Sequence, residues 1–379
     1  MLFKKKEHIK YESFSPIKIA FNRLKKHRLA MVSLYVLIFL YTIALFAEII
    51  APYPAAYECR MKPYHPPVSI HFFDAEGFSF IPFIYQYKTE LTQYYEKHYV
   101  PIQNSEFGIQ NSGSSKRHYL HLFIKGEPYR LWGIIPCNIH LFGVAEPAHL
   151  YLLGSDWNGR DILSRLIYGA RISLSVGIIG IFISFSLGMI IGGISGYFGG
   201  MIDTILMRLV EIIMCFPDFY LLLALRAAFP LDLNSTAIYL LIIGIMSFIG
   251  WAGMARVIRG IILSVREREY IVAARSQGSH HISIIIKHAL PNTLSYAIVA
   301  ATLSIPGYIL GEAALSLLGL GISEPQASWG NMLTASMNLS DMVEHPWILV
   351  PGAAIFITIM AFNLLGDGLR DAFDPGSLI

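Results

Sequence analysis

The chain is short of charge. Asp, Glu, Lys and Arg make up 15% of its 379 residues, against about 25% in soluble proteins. That deficit argues against a water-soluble globule and points to lipid. The formal net charge of +3 is too small, and its basic residues too scattered, for a nucleic-acid partner. Cysteine is scarce too: Cys59, Cys137 and Cys215 form no CxxC pair, so zinc-ribbon and thioredoxin-like readings have no support. No GxxxxGK[ST] run occurs, so the chain encodes no phosphate-cradling loop. HExxH and GxSxG are also missing. These absences predict a chain that is not an enzyme and holds no metal or cofactor. Any energy source belongs to a partner.

What the sequence has in quantity is apolar residues, at 54%. A helix crossing the hydrocarbon core needs about 20 mostly apolar residues. Six segments qualify: 29–47, 172–194, 204–229, 236–255, 293–318 and 347–365. The expected fold is an all-α polytopic membrane protein with six transmembrane helices. The third segment is the least regular, because it contains Arg208, Glu211 and Asp218. Arg208 and Glu211 stand three residues apart and are expected to pair.

The basic residues orient the spans. Nine Lys/Arg precede Leu29, and six lie in residues 256–292, whereas residues 319–346 hold none. Positive flanks stay in the cytoplasm, which places both termini inside. The first apolar run is followed by Ala51-Pro52-Tyr53-Pro54 and not by a small-residue cleavage site. It reads as a retained span. The predicted organisation is a cytoplasmic segment over 1–28, a first span over 29–51, an extracytoplasmic insertion over 52–150, and a five-span core over 151–379.

The insertion is too long for a plain connector. It is rich in Tyr, Phe and Ile, so a small β-rich cap is expected, with disorder confined to residues 104–116. Residues 69–83 read as a hairpin turning at Ala75-Glu76-Gly77, and residues 118–132 as a second turning at Lys125-Gly126. Cys59 and Cys137 both fall in this outer region. A disulfide closing a long loop and two buried thiols are both compatible with that placement.

Four groups of residues carry candidate function. Residues 266–292, REREYIVAARSQGSHHISIIIKHALPN, form a polar segment between two spans. Ala273 and Ala274 would let a short helix sit deep in another protein's cleft, and Gly278 can end that helix. Leu290-Pro291 marks the entry to the fifth span. The plainer reading is an ordinary interfacial helix. Residues 154–171, with Asp156, Arg160, Asp161, Arg165 and Arg171, read as an amphipathic interfacial helix. It serves either as an outer gate or binding-protein seat, or simply as an anchor. Asp218 and Glu312 are ionisable groups within spans, suited to a cavity wall or to helix–helix contacts. Pro306-Gly307 suggests a bend near Glu312. His280, His281 and His288 read as surface or partner-contacting residues, not metal ligands.

Four ordered blocks carry a family resemblance. They are FNRLKKHRLAMVSLYVLIFLYTIALFAEIIAPY (21–53), LGSDWNGRDILSRLIYGARISLSVG (153–177), GYFGGMIDTILMRLVEIIMCFPDFYLLLAL (196–225), and the C-terminal pair SLLGLGISEPQASWGNML and NLLGDGLRDAFDP. Together they resemble the ABC-importer permeases for oligopeptides, dipeptides and nickel, in particular the second, C-type permease subunit. Residues 55–148 lie outside the common core.

The resemblance implies a membrane assembly in the bacterial inner membrane. Its expected partners are a second permease subunit, two ATP-binding cassette subunits that hold ATP and Mg, and an extracytoplasmic solute-binding protein. The 266–292 segment resembles the family's "EAA" coupling loop, with Glu269, Val272, Ala273, Ala274, Arg275, Gly278, Leu290 and Pro291 as ATPase-coupling positions. One departure stands out: Val272 occupies the place of the family's acid before the two alanines. Either Glu269, one helical turn earlier, replaces it, or the contact is absent and packing suffices. The implied substrate is a peptide, with nickel or a peptide antibiotic as alternatives within the family. An ion-coupled secondary transporter is the rival outside it. That rival predicts an internal repeat, and no convincing one is visible. A membrane-anchored sensor would need an inner effector domain for which the short inner segments leave no room.

Overall fold

The structure, a computed structural model, describes residues 16–74, 77–91, 97–101, 117–230 and 232–374. Residues 104–116, the expected disordered stretch, fall outside them, as do Ala75 and Glu76 of the first predicted turn.

Three helices open the chain: α1 (Pro16–Leu24), α2 (Arg28–Leu45) and α3 (Ala47–Ile50). Six strands follow: β1 (His71–Asp74), β2 (Gly77–Ile84), β3 (Tyr87–Leu91), β4 (Lys97–Pro101), β5 (His118–Leu131) and β6 (Ile135–Val144). The rest is helical: α4 (Ile162–Phe198), α5 (Gly200–Met214), α6 (Asp218–Ala227), α7 (Ser235–Val265), α8 (Glu269–Ser276), α9 (His281–Ile284), α10 (Leu294–Leu317), α11 (Trp329–Met332), α12 (Leu339–Glu344) and α13 (Val350–Phe373).

Five described helical segments are long and apolar enough to cross a membrane: 28–45, 162–198, 235–265, 281–317 and 346–373. The third expected span is not a single helix. Proline disfavours the helical conformation in the residue before it, and the chain breaks at Phe216-Pro217 between α5 and α6. At 15 and 10 residues, the two pieces are about 22 and 15 Å long, and neither alone spans a 30 Å core. They nevertheless run from one end of the bundle to the other. α5 starts beside Arg259 and Arg266, while Arg226 near the end of α6 donates to the Leu320 carbonyl at 2.6 Å. Arg208 and Glu211 pair at 2.7 Å, as expected.

The bundle is organised around α4 against α7. Gly188, Gly192 and Gly196 recur every fourth residue on α4, and a Cβ at any of them would press on α7. At Gly188 it would lie 2.7 Å from Met254 and 3.0 Å from the Trp251 carbonyl, and at Gly196 2.7 Å from the Arg259 carbonyl. Lipid gives no hydrophobic drive to helix pairing, so close backbone approach through small residues supplies the dispersion contact. α10 and α13 close the other side, with Gly366 of α13 against Leu303. α2 packs on α13 and leaves Val32, Tyr35 and Phe39 more than half exposed, a lipid-facing pattern.

Two ends can be distinguished. At one end lie the strands, the start of α4 and the start of α7, where the Ser235 hydroxyl donates to the Ser323 carbonyl at 3.0 Å. At the other lie α8 and both ends of the described chain: Arg23 donates to the Asp374 carbonyl at 2.9 Å, and Tyr197 meets His281 at 3.0 Å.

The strands form a four-stranded antiparallel sheet, β1-β2-β5-β6, and a separate β3-β4 pair. The first predicted hairpin is present, with Asp74 opposite Gly77. The second is corrected. Lys125-Gly126 is not a turn: β5 runs through it, and the chain reverses at Trp132-Gly133-Ile134 instead. The glycine serves a different purpose. Register shifts between Lys125 and Tyr129, and a Cβ at Gly126 would lie 2.7 Å from the His140 ring. Gly126 marks a bulge with close side-chain approach.

Candidate functional site

α8 is a short helix with well-defined ends. Glu269 stands in its first turn and Arg275 in its last, matching the helix dipole. Gly278, at φ +78°, terminates it. Its N–H donates to the Arg275 carbonyl at 3.0 Å, and that of Ser279 to the Ala274 carbonyl at 3.1 Å. This is a Schellman closure, which needs the left-handed residue that glycine supplies without strain.

One side of α8 is anchored. Ile271 is buried among Ile258, Ile262, Ile284 and Ile285, with Ala274 packed against them. The Arg275 guanidinium lies 5.8 Å from the Tyr197 ring. The other side presents Glu269, Tyr270, Val272 and Ala273 to the outside. Glu269 and Val272 share one face of one helix.

Beyond α9 the chain passes through a π turn at Ile285–Ala289 and a 3₁₀ turn at Leu290–Thr293 before entering α10. Leu290 packs on α4, where a Cβ at Gly193 would sit 3.3 Å from it. Pro291 occupies the start of the 3₁₀ turn and is exposed. His280, His281 and His288 are exposed at this end. The α8 segment is thus tied to α4 and α10 through a short, packed path. Nearby, Arg259 grips Asp203 at 2.5 Å through two nitrogens, and Ser195 adds a third bond to Asp203. These contacts lock α4, α5 and α7 together.

Midway along the bundle, α6, α7 and α10 frame an open-sided cavity of about 650 Å³. Asp218 lines it, with Phe219, Ser304, Gly307, Gly311 and Ala314. The last four are small and share one face of α10, which is what makes room there. Glu312 follows the helix–helix alternative instead of lining this cavity. It is fully buried and accepts from Ser173 at 3.1 Å and Ser316 at 2.7 Å. It joins α10 to α4, because a carboxylate without water needs internal donors. α10 continues through Pro306.

The 154–171 stretch is not an amphipathic surface helix. Residues 154–161 form a tight loop, and Asp161 caps α4 by accepting from the Ser164 N–H at 2.7 Å. Arg160 bonds Asp156 at 2.7 Å and also grips Glu324, which Arg165 meets at 3.0 Å. Arg160, Asp161 and Arg165 are buried, and Asp156 almost so. Burial alone would lower the Arg160 pKa, but Asp156 and Glu324 outweigh it and hold the guanidinium charged. These charges face one another and border a second cavity of about 580 Å³. Arg171 leaves the group and pairs with Glu48 at 2.7 Å.

Cys59 and Cys137 are free thiols, which corrects the bridged alternative. Cys59 is hydrogen-bonded by its backbone to Gly159, whereas Cys137 lies on β6 opposite Tyr129.

Comparison with known proteins fits this architecture. The model of the binding-protein-dependent transport system inner membrane component family matches residues 188–378. The chain belongs to that family. A second model, the N-terminal TM domain of oligopeptide transport permease C, matches residues 15–67 of this permease. The oligopeptide transport system permease protein OppC of Haemophilus influenzae is 44% identical over 226 residues, 59% of this chain and 70% of its own. The dipeptide transport system permease protein DppC of Bacillus subtilis is 41% identical over 231 residues, 60% and 70% of the two chains. A chain of the inward-facing MetNI methionine ABC transporter covers 55% of this one and 96% of its own at 17% identity. Its TM-score is 0.41, a likeness too loose to bear on the fold. The permease is a multi-pass membrane subunit of the ABC importer class. The family matches flank residues 68–187, which include all six described strands.

Three features escaped the sequence reading. Glu324, the partner of both buried arginines, looked like one polar loop residue among several. Asp203 and Arg259 gave no signal, being 56 positions apart. The Gly188, Gly192, Gly196 spacing was legible as a small-xxx-small motif.

Proposed function

We propose that this permease is one of two membrane subunits of an ATP-driven importer of oligopeptides or dipeptides. The exposed face of α8 carries the proposal: a short, firmly anchored helix offers Tyr270, Val272 and Ala273 to a partner at the end remote from the sheet. There an ATP-binding cassette subunit docks, and ATP and Mg are held by that partner. Ala273, Ala274 and Arg275 lie in or beside the contact. Gly278 fixes its end, while Leu290 and Pro291 pass its motion to α4 and α10. Glu269 supplies the acid that Val272 lacks.

In this reading α5 and α6 together make the sixth span. The α8 end is cytoplasmic, with both termini, and the sheet is extracytoplasmic. The cavity beside Asp218 faces the second permease, and the path for peptide runs between them. The Arg160–Asp156–Glu324–Arg165 cluster latches the outer side, and a solute-binding protein delivers peptide there. The names of the OppC and DppC relatives support the peptide assignment.

The test is purification of the tagged chain from its native membrane in mild detergent, with mass spectrometry of what accompanies it. A second permease and ATPase subunits are expected, and the reconstituted assembly should take up peptide only with ATP. The chain alone, moving solute on an ion gradient without ATP, would overturn the proposal in favour of a secondary transporter.

A further inference from the structure

The β5–β6 hairpin ends in an apolar tip that the described residues leave largely exposed. Trp132, Ile134 and Ile135 are 48%, 78% and 51% exposed. The tip is not a free end of the cap. The Trp132 indole N–H donates to the Leu45 carbonyl at 2.9 Å, and its ring lies 5.9 Å from that of Phe46. Farther along β6, His140 bonds the Ala51 carbonyl at 2.6 Å. The hairpin therefore lies along α3 with its tip pointing back toward the end of α2.

That end is a defined depth. The 18 residues of α2 make about 27 Å of helix, close to one hydrocarbon thickness. Leu45 is its last residue and is 53% exposed. Arg171 bonds the Leu45 carbonyl at 3.1 Å and Glu48 at 2.7 Å, placing an ion pair at the same level. Trp132 thus sits where apolar helix gives way to charge. Tryptophan favours that boundary because its ring is apolar and its N–H needs an acceptor.

The backbone adds an independent observation. Trp132 is held at φ +52° and Gly133 at φ +76°, with the Ile134 N–H closing a turn on the Leu131 carbonyl at 3.1 Å. A bulky residue in the left-handed region is strained, and such strain persists only where surroundings enforce it. Here the turn aims the indole at Leu45 and leaves Ile134 and Ile135 outward.

We propose that the tip, residues 132–135, is an interfacial anchor that rests in the headgroup–acyl boundary of the leaflet on the sheet side. Its exposed side chains continue the lipid-facing surface of α2, so its partner is the bilayer. The anchor ties the sheet to the membrane and fixes its tilt over the bundle. The inference depends on α2 spanning the bilayer, not on the substrate or the ATPase.

The experiment places the photoreactive residue p-benzoylphenylalanine at position 134, 39 or 80 of the full chain, in cells making the whole transporter. Adducts are identified by mass spectrometry after irradiation of native membranes. Ile134 makes too few contacts for the change to threaten folding, and Phe80, 91% exposed on β2, reports the sheet away from the tip. Phospholipid adducts at 134 and 39 but not at 80 are expected. A polypeptide adduct at 134, or no adduct there while 39 captures lipid, overturns the anchor. Absence of lipid at both 39 and 134 removes the span assignment of α2 itself. Lipid at all three positions also overturns the proposal, because the contact would then not be specific to the tip.

Discussion

Beside the sheet, Arg160 and Arg165 are 3% and 2% exposed and close on Asp156 and Glu324. At the other end, every residue of α8 except Ile271 and Ala274 faces outward. Both ends are rich in charge, yet they use it differently. Charges that satisfy one another internally hold loops in place, whereas charges and small apolar groups left facing outward are available to a partner. The contrast predicts that the same kind of substitution damages stability at one end and coupling at the other.

The largest effect should come from Arg165→Ala. It leaves Asp156 and Glu324 with one buried guanidinium in place of two. Breaking a buried ion pair from one side costs about 3–5 kcal/mol, so the detergent-solubilised protein should melt at a clearly lower temperature. Glu324→Gln should cost less, because Glu324 is 44% exposed and water can compensate. Equal losses for the two would show that the network is not organised around the buried arginines.

Acid should separate the ends next. His65 is 3% exposed, and burial, with Lys62 and His149 adding to it, pushes its pKa down to about 4 from 6.5. The native state then binds fewer protons than the unfolded one between these values. Stability falls as pH drops from 6.5 to 4, by about 3 kcal/mol for this group. Asp161 opposes it. Burial raises its pKa to about 7 from 3.8, so its contribution is full below 3.8 and is lost as pH rises through 7. Asp161→Asn keeps a capping side chain and removes that opposition. Melting temperature measured against pH should drop more steeply on acidification in Asp161→Asn than in the parent. Parallel curves would refute the assignment of opposite signs.

A smaller effect isolates the α8 closure. Gly278→Ala places a Cβ at φ +78° and should cost about 1 kcal/mol. That loss should appear as faster hydrogen exchange in α8, with the sheet end unchanged.

The sequence disclosed these two ends unequally. Hydropathy located the spans because lipid imposes a continuous apolar length, and the hairpin at β1–β2 followed from its aromatic alternation. The α8 helix was legible because its determinants, from Glu269 to Gly278, are local. The third span was misread as one helix, although Pro217 marked the break. Lys125-Gly126 looked like a turn because composition cannot distinguish a glycine that reverses the chain from one that admits the His140 ring. Glu312 stayed open between a cavity wall and a helix–helix contact because its charge was visible while Ser173, 139 positions away, was not. Glu324 was missed for the same reason: its meaning lies in the distant Arg160 and Arg165.

The smallest change in stability should accompany the most specific change in activity. Glu269 is exposed and makes no buried contact that its loss would expose, so Glu269→Ala should alter stability by no more than about 0.5 kcal/mol. If its carboxylate replaces the acid absent at Val272, peptide-stimulated ATP hydrolysis by the reconstituted importer should fall in Glu269→Ala and equally in Glu269→Gln. A packing role would spare the isosteric amide. Val272→Glu, on the same face one turn along, should restore coupling in the Glu269→Ala background. Unchanged transport in Glu269→Ala would end the replacement idea and leave the proposed coupling of α8 to rest on the shape of Tyr270, Val272 and Ala273 alone.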